Sequence, residues 1–202
     1  MIEQGSPEWF ALRCGLATAS RFSEIVTGTG EFSKSMKEYA AELAADRFAG
    51  RPLEKWGGNF ATDRGLELEP RSIATYELLN DVSIEKVGFH KVEGIDAGCS
   101  PDGLINHDGV IEIKNLMPKG HVQMLAYWKK HQKPMPSYIP QLQGEMWVTG
   151  REWNDLFYHS PDLPHLIIRV MRDEAYITKL IEGINLTIEA RDEYVAALRG
   201  MI

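Results

Sequence analysis

The chain has 202 residues, 44% of them hydrophobic and 25% charged, which is the balance of a globular protein and suits one domain over residues 1–202. No apolar run approaches the roughly 20 residues of a membrane-spanning helix, and Met1 to Gly5 carries neither the basic end nor the apolar stretch of a signal peptide, so no membrane role is expected. Two cysteines, Cys14 and Cys99, rule out a disulfide framework or a zinc cluster and point to a reducing, cytoplasmic setting, while the net charge of −7 argues against a simple electrostatic binder of nucleic acid.

Ser6-Pro7-Glu8 is a helix start, with a capping hydroxyl, a proline at the first helical position and an acid near the positive end, and predicts a helix to about Cys14. A short helix is expected after Ser20, and Gly28-Thr29-Gly30 marks a loop. Met36, Tyr39, Leu43, Ala44 and Phe48 recur at helical spacing up to Gly50 and Pro52. A further helix is predicted from about Thr62 to Leu79, kinked or divided at Pro70. The period then changes. Strands are expected over 82–89, 95–100 and 109–114, helices over 119–131 and 140–149, and strands over 155–159 and 165–171. A long amphipathic helix closes the sequence from Asp173, with an apolar stripe from Tyr176 to Leu198. This order predicts an α/β fold: a mixed central sheet flanked by helices, with a helical N-terminal part and a long C-terminal helix.

The chemistry concentrates in Pro101-Asp102-Gly103 and Gly109-Val110-Ile111-Glu112-Ile113-Lys114. Side chains alternate along a strand, so Glu112 and Lys114 share one face while Ile111 and Ile113 share the other. Turn residues Asn106 to Gly109 separate the two segments, and antiparallel pairing across them carries Asp102 towards Glu112. Two carboxylates meeting at a point repel, and a hard divalent cation with oxygen ligands relieves this; the Ile113 main-chain carbonyl is a third oxygen. A bare Glu-x-Lys is usually a surface pair; the Pro-Asp turn at hairpin distance turns the balance towards a metal site. Charge is also uneven: from Ile113 through Gly144 there is no Asp or Glu, whereas Lys114, Lys119, Lys129, Lys130 and Lys133 all fall there. Such a segment faces phosphates or is a solvated helix face. Trp128, Lys129 and Lys130 either follow a DNA backbone or cap a surface helix, and Gly28 to Lys34 is a candidate DNA-contacting loop. The six histidines form no ligand spacing, His121 alone being worth watching, and there is no nucleophile elbow. Read from the residues alone, Glu67 and Glu69 are helix-surface acids, Gln143 is a satisfied buried amide, and Arg13 belongs to a surface ion pair.

Pro101-Asp102 with Glu112-Ile113-Lys114 resembles the PD-(D/E)xK nuclease signature on its hairpin. The wider sequence is similar to the lambda-exonuclease family of phage recombination (alkaline) exonucleases. The likeness extends to Glu3-Gln4-Gly5, Trp9, Leu12-Arg13, Gly15 and Thr18-Ala19-Ser20, to Cys99 through Leu104, and to Gln141-Leu142-Gln143 with Met146 through Thr149. The resemblance implies a restriction-endonuclease-like fold and a metal held by Asp102, Glu112 and the Ile113 carbonyl, with Lys114 as the catalytic lysine. It places Glu69, or its neighbour Glu67, near a second metal position, and Gln143 against the attacking water or the metal shell. Arg13, Thr18, Ser20 and Ser100 are similar to the family's pocket for a terminal 5′-phosphate, with Lys119-Gly120-His121 standing where an arginine is expected. It further implies one or two Mg²⁺ ions, with Mn²⁺ a possible substitute, double-stranded DNA ends as substrate and a homotrimeric ring. A single-strand annealing partner and a phage or prophage origin inside a bacterial host complete it. The rival readings are an endonuclease or repair nuclease sharing the hairpin, and a non-catalytic DNA-binding module.

Overall fold

The computed structural model describes residues 5–53 and 60–202. The chain opens with α1 (Pro7–Arg13), where the Ser6 side chain accepts from the Trp9 N–H, as the capping pattern predicts. After β1 (Ala17–Thr18) a 3-10 helix covers Ala19–Glu24, and α2 (Met36–Ala49) ends at Gly50 in a left-handed turn. The long helix α3 (Phe60–Asn80) runs through Pro70 without a break. The proline removes one main-chain hydrogen bond, but Ser72, Ile73 and Tyr76 just beyond it pack onto the sheet and hold the helix in register.

Short strands follow: β2 (Ile84–Glu85), β3 (His90–Lys91), β4 (Ala97–Cys99), β5 (Gly103–Ile105) and β6 (Gly109–Lys114). Of the strand expected over 82–89 only Ile84–Glu85 forms, pairing with β5; residues 86–89 are irregular, and the next strand, β3, lies just beyond at His90–Lys91 and pairs with β4 in the other sheet. Local pattern cannot show this, because the partner, not the segment, decides which edge it joins. Helices α4 (Pro118–His131) and α5 (Ile139–Thr149) come next, then β7 (Trp153–Tyr158), β8 (Leu166–Met171) and α6 (Glu174–Arg199). Asp173 caps α6, its carboxylate accepting from the Tyr176 N–H.

The main sheet has the order β2-β5-β6-β7-β8, parallel only between β6 and β7, and a smaller sheet has the order β1-β4-β3. Alternation along β6 and β7 sorts the main sheet's faces. Ile111, Ile113, Trp153 and Phe157 pack with Tyr76 under α3. Leu156 and Tyr158 pack with Met124 of α4 and Leu142 of α5. The opposite side of α5 meets the smaller sheet and the 3-10 helix so closely that a Cβ on Gly144 would lie 2.3 Å from the Phe22 ring. Helix α5 is thus buried between the two sheets, with α2 and α6 closing the far side. Among the described residues no helix is long and apolar enough to cross a membrane.

Candidate active site

The C-terminal end of β6 gathers the residues singled out by the motif. Strand β5 stops pairing at Gly103, opposite Ile111, so the last three residues of β6 extend past it. Asp102 fills that gap: its Oδ2 accepts from the Ile113 N–H at 2.6 Å. In an extended strand a residue's N–H and C=O leave by the same edge, so the Ile113 carbonyl also turns towards Asp102. The ladder supports this, because the carbonyl of the next residue, Lys114, points the other way and accepts from His159 N–H beyond β7. Glu112 and Lys114 face α5 together, with the ammonium 2.6 Å from Glu112 Oε1 and 5.3 Å from the Tyr138 ring centre.

Glu112 is buried, and a third carboxylate lies close by: Glu145 of α5, only 1% exposed. Burial, then the charge of Glu112, pushes both Asp102 and Glu145 well above the usual carboxylate range. Burial alone would lower Lys114, but Glu112, with smaller contributions from Asp102 and Glu145, outweighs it and holds the ammonium above its ordinary value. Three carboxylates therefore lie near a single ammonium, which pairs directly with Glu112 alone. That excess of negative charge and oxygen donors fits a hard divalent cation. Among the described residues no three His, Cys, Asp or Glu side chains form a ready metal cluster. The fitting set is two carboxylates, Asp102 and Glu112, with the Ile113 carbonyl.

Helix α5 supplies its glutamines to opposite sides. Gln141 Oε1 lies 3.4 Å from the Lys114 ammonium, and its Nε2 donates to Glu145 at 2.8 Å. Gln143, two residues on and so across the helix, donates to the Met171 carbonyl and accepts from the Asp173 N–H. This corrects the expectation placed on Gln143: its carboxamide is already used joining β8 to α6, and Gln141 is the glutamine at the lysine. Glu145 escaped the sequence reading altogether. The signal was there, since it is the first acid after the acid-free stretch and sits one helical turn from Gln141 on a largely apolar helix.

Helix α3 approaches the same end. Ser72, fully buried, has its Oγ 2.8 Å from both Asn115 Oδ1 and His159 Nδ1, which ties the helix to the residues just after β6 and β7. Glu69, one turn earlier, faces the site: its charge contributes to the rise of Asp102, and it pairs with Lys86 at 2.7 Å. Glu67 is exposed. Of the two competing acids, Glu69 is the one near the carboxylate centre.

Arg13, Thr18 and Ser20 line one pocket of about 490 Å³, with Phe10, Ala41 and Leu53 among its apolar walls. The Arg13 guanidinium stacks on Trp9, its carbon 3.7 Å from the ring centre, and donates to Ser20 Oγ at 3.4 Å. Burial pulls Arg13 down to about 10, so it stays charged at neutral pH. No ion pair is formed by Arg13 among the described residues, whereas neighbouring Arg21 is held by Glu24 and Glu42. Ser100 does not line the pocket; it accepts from the Trp9 indole at 3.0 Å and so steadies the ring beneath Arg13. Lys119 is exposed in the first turn of α4, with Lys129 and Lys130 exposed near that helix's end. His121 is buried against the Pro164 carbonyl and faces no phosphate. Trp128, on α4, packs against the cluster of Met124, Leu142 and Leu156, and the Gly28 loop is seated on Pro136 and bonded through Thr27 to Tyr176.

The sequence profile of the YqaJ-like viral recombinase domain matches residues 8–152, which contain the hairpin, the N-terminal pocket and α5. An alkaline exonuclease (LHK-Exo) from Laribacter hongkongensis is 32% identical over 97% of both chains, with a TM-score of 0.85. The same enzyme in complex with dAMP superposes equally well, at 31% identity. A phage-related exonuclease from Haemophilus somnus 129PT shares the fold, with a TM-score of 0.72 and 16% identity over 91% of this chain and 96% of that one. No curated protein matches the sequence.

Proposed function

The chain belongs to the YqaJ-like viral recombinase family and is an alkaline-exonuclease-like nuclease, a hydrolase acting on DNA; from that premise we propose that it is a Mg²⁺-dependent exonuclease that digests linear double-stranded DNA from its 5′ ends. The products are mononucleotides and a 3′ single strand, made ready for recombination by single-strand annealing. The observation that carries this reading is the convergence of Asp102, Glu112 and Lys114 at the end of β6, with carboxylates in excess of cations. The exonuclease relative crystallised with dAMP supports a mononucleotide product.

Asp102, Glu112 and the Ile113 carbonyl would hold the ion, and Glu69 stands where it would serve a second. A bound divalent cation supplies Lewis-acid polarisation of the phosphate and a water of lowered pKa, and an all-oxygen donor set accepts Mn²⁺ as well as Mg²⁺. Lys114 orients the nucleophile and offsets negative charge as it grows on the phosphate, and the buried setting strengthens that effect. Gln141 keeps the ammonium from collapsing wholly onto Glu112. Arg13, Thr18 and Ser20 receive the terminal 5′-phosphate, the guanidinium gripping two oxygens at once. Lys119, exposed on α4, and the lysines at that helix's end face the DNA backbone. A homotrimeric ring that turns these lysines inward lets a chain of net charge −7 hold DNA. A single-strand annealing protein is the expected partner, and the setting is the cytoplasm of a bacterial host carrying a phage or prophage.

The test is digestion with Mg²⁺ of three matched DNAs: linear with 5′-phosphate, linear with 5′-hydroxyl, and covalently closed circular, each beside a Lys114→Ala control. The reading predicts rapid loss of the phosphorylated linear DNA, slower loss of the hydroxyl form and an intact circle, with no loss in the control. Cutting of the circle identifies an endonuclease instead, and no cleavage of any substrate by the wild type identifies a binding module.

A further inference from the structure

Glu145 is a fully buried carboxylate that the proposed hydrolysis does not use, and its hydrogen bonds explain an otherwise arbitrary choice at the site. A glutamine amide can present either its oxygen or its nitrogen to a neighbour. An ammonium only donates, so a productive contact with Lys114 needs the Gln141 oxygen. A carboxylate only accepts, so Glu145 takes the Gln141 Nε2 proton at 2.8 Å and thereby turns Oε1 towards Lys114. The other Glu145 oxygen accepts from Asn154 Nδ2 of β7 at 2.8 Å, and this fixes the carboxylate itself to the parallel partner of the catalytic strand. The chain Asn154–Glu145–Gln141–Lys114 thus runs without a break from the floor of the sheet to the ammonium.

We propose that Glu145 is a positioning residue for the hydrolytic reaction, acting through the amide of Gln141 to set where the Lys114 ammonium stands. The proposal rests on the nuclease reading above. It assigns the role to reach and hydrogen-bond direction, not to the negative charge. Two conservative substitutions separate these. Glu145→Gln has the same reach without the charge: its oxygen still accepts from Gln141. Its amide nitrogen then meets Asn154, whose Oδ1 is buried and has no hydrogen-bond partner among the described residues, so it can turn to accept. Glu145→Asp keeps the charge but is one methylene too short to meet both partners.

Steady-state kinetics on linear 5′-phosphorylated duplex, with melting temperatures recorded for each protein, decide the matter. Glu145→Gln is expected within about 3-fold of the wild-type kcat, and Glu145→Asp about 10- to 30-fold lower, with KM little changed in either, the range for groups that orient a reacting side chain. Combining Glu145→Asp with Gln141→Leu should cost no more than Gln141→Leu alone, because both cut the same chain. The reverse order, with Asp active and Gln inactive, overturns the proposal in favour of a charge effect. Equal activity of all three proteins, or losses that multiply in the double variant, overturns it too. An inactive wild type would strike at the nuclease reading instead, so the two failures are told apart.

Discussion

The two functional regions carry opposite and unbalanced charge. At the end of β6 two buried carboxylates and the half-buried Asp102 lie near one ammonium, and in the N-terminal pocket a half-buried guanidinium has an aromatic ring and a hydroxyl but no carboxylate among the described residues. Arg191 shows what a finished buried arginine looks like in the same molecule. It is 1% exposed, bonds Asp96, Asp192 and the Gly15 carbonyl, and ties α6 to the loop before β1. Arg191 is completed by the protein. Arg13 and the carboxylate centre are not completed by the described residues; on the proposed reading a phosphate would complete the first and a cation the second. Satisfaction of charge thus marks Arg191 as structural and leaves Arg13 and the carboxylate centre as the candidates for binding.

The largest expected effect lies at the carboxylate centre. Lys114→Ala should lower nuclease activity about 10²- to 10³-fold or more while the melting temperature stays near wild type, since it removes charge stabilisation that matters as the phosphate reacts. Next comes the structural arginine. Arg191→Met should destabilise the fold by roughly 3 kcal/mol, read from denaturant unfolding, while the preference for 5′-phosphate over 5′-hydroxyl ends is kept in the protein that remains folded. Arg13→Met should do the converse: a small change in stability, and a loss of that preference worth about 1.5–3 kcal/mol, roughly 10- to 150-fold in the rate ratio. An Arg13 variant that unfolds like the Arg191 variant, with the end preference intact, would erase the contrast between the two arginines.

The smallest effect is on pH dependence. Asp102 and Glu145 are raised by burial in the fold, so the folded state holds their protons more tightly than the unfolded chain. Their contribution to stability is present below the ordinary carboxylate pKa of about 4 and is lost as pH rises through the raised values. The metal-free protein should therefore melt at progressively lower temperature from mildly acid to alkaline pH. Added Mg²⁺ should raise the melting temperature more at alkaline than at acid pH, because the ligands must be ionised to bind it. A metal response that is flat with pH would show that burial does not raise these carboxylates.

How much of this was legible follows from which residues carry local signals. Glu112 and Lys114 declare a shared face by strand alternation alone, and Ser6, Gly50 and Asp173 mark helix ends as their chemistry dictates. The shrinking of the strand expected over 82–89 to Ile84–Glu85, with a separate edge strand at His90–Lys91, was not legible, because each edge is chosen by a partner elsewhere in the chain. The glutamines of α5 show the same limit more sharply. Gln141 and Gln143 are equivalent in sequence, and only the packing of α5, with Gly144 against Phe22, turns the first to the lysine and the second to α6. Glu145 carries no legible role in the sequence, because one acid on an apolar helix is ambiguous until Asn154 and Gln141 meet it in the fold.

The most direct test of the central claim is strand polarity. A linear duplex labelled on one strand at either its 5′ or its 3′ end is digested with Mg²⁺, and the released label is followed in time beside the Lys114→Ala protein. The 5′ label is expected first, as a mononucleotide, and the variant is expected to release neither. Early release of the 3′ label, or of 5′-labelled fragments many nucleotides long, would contradict that claim.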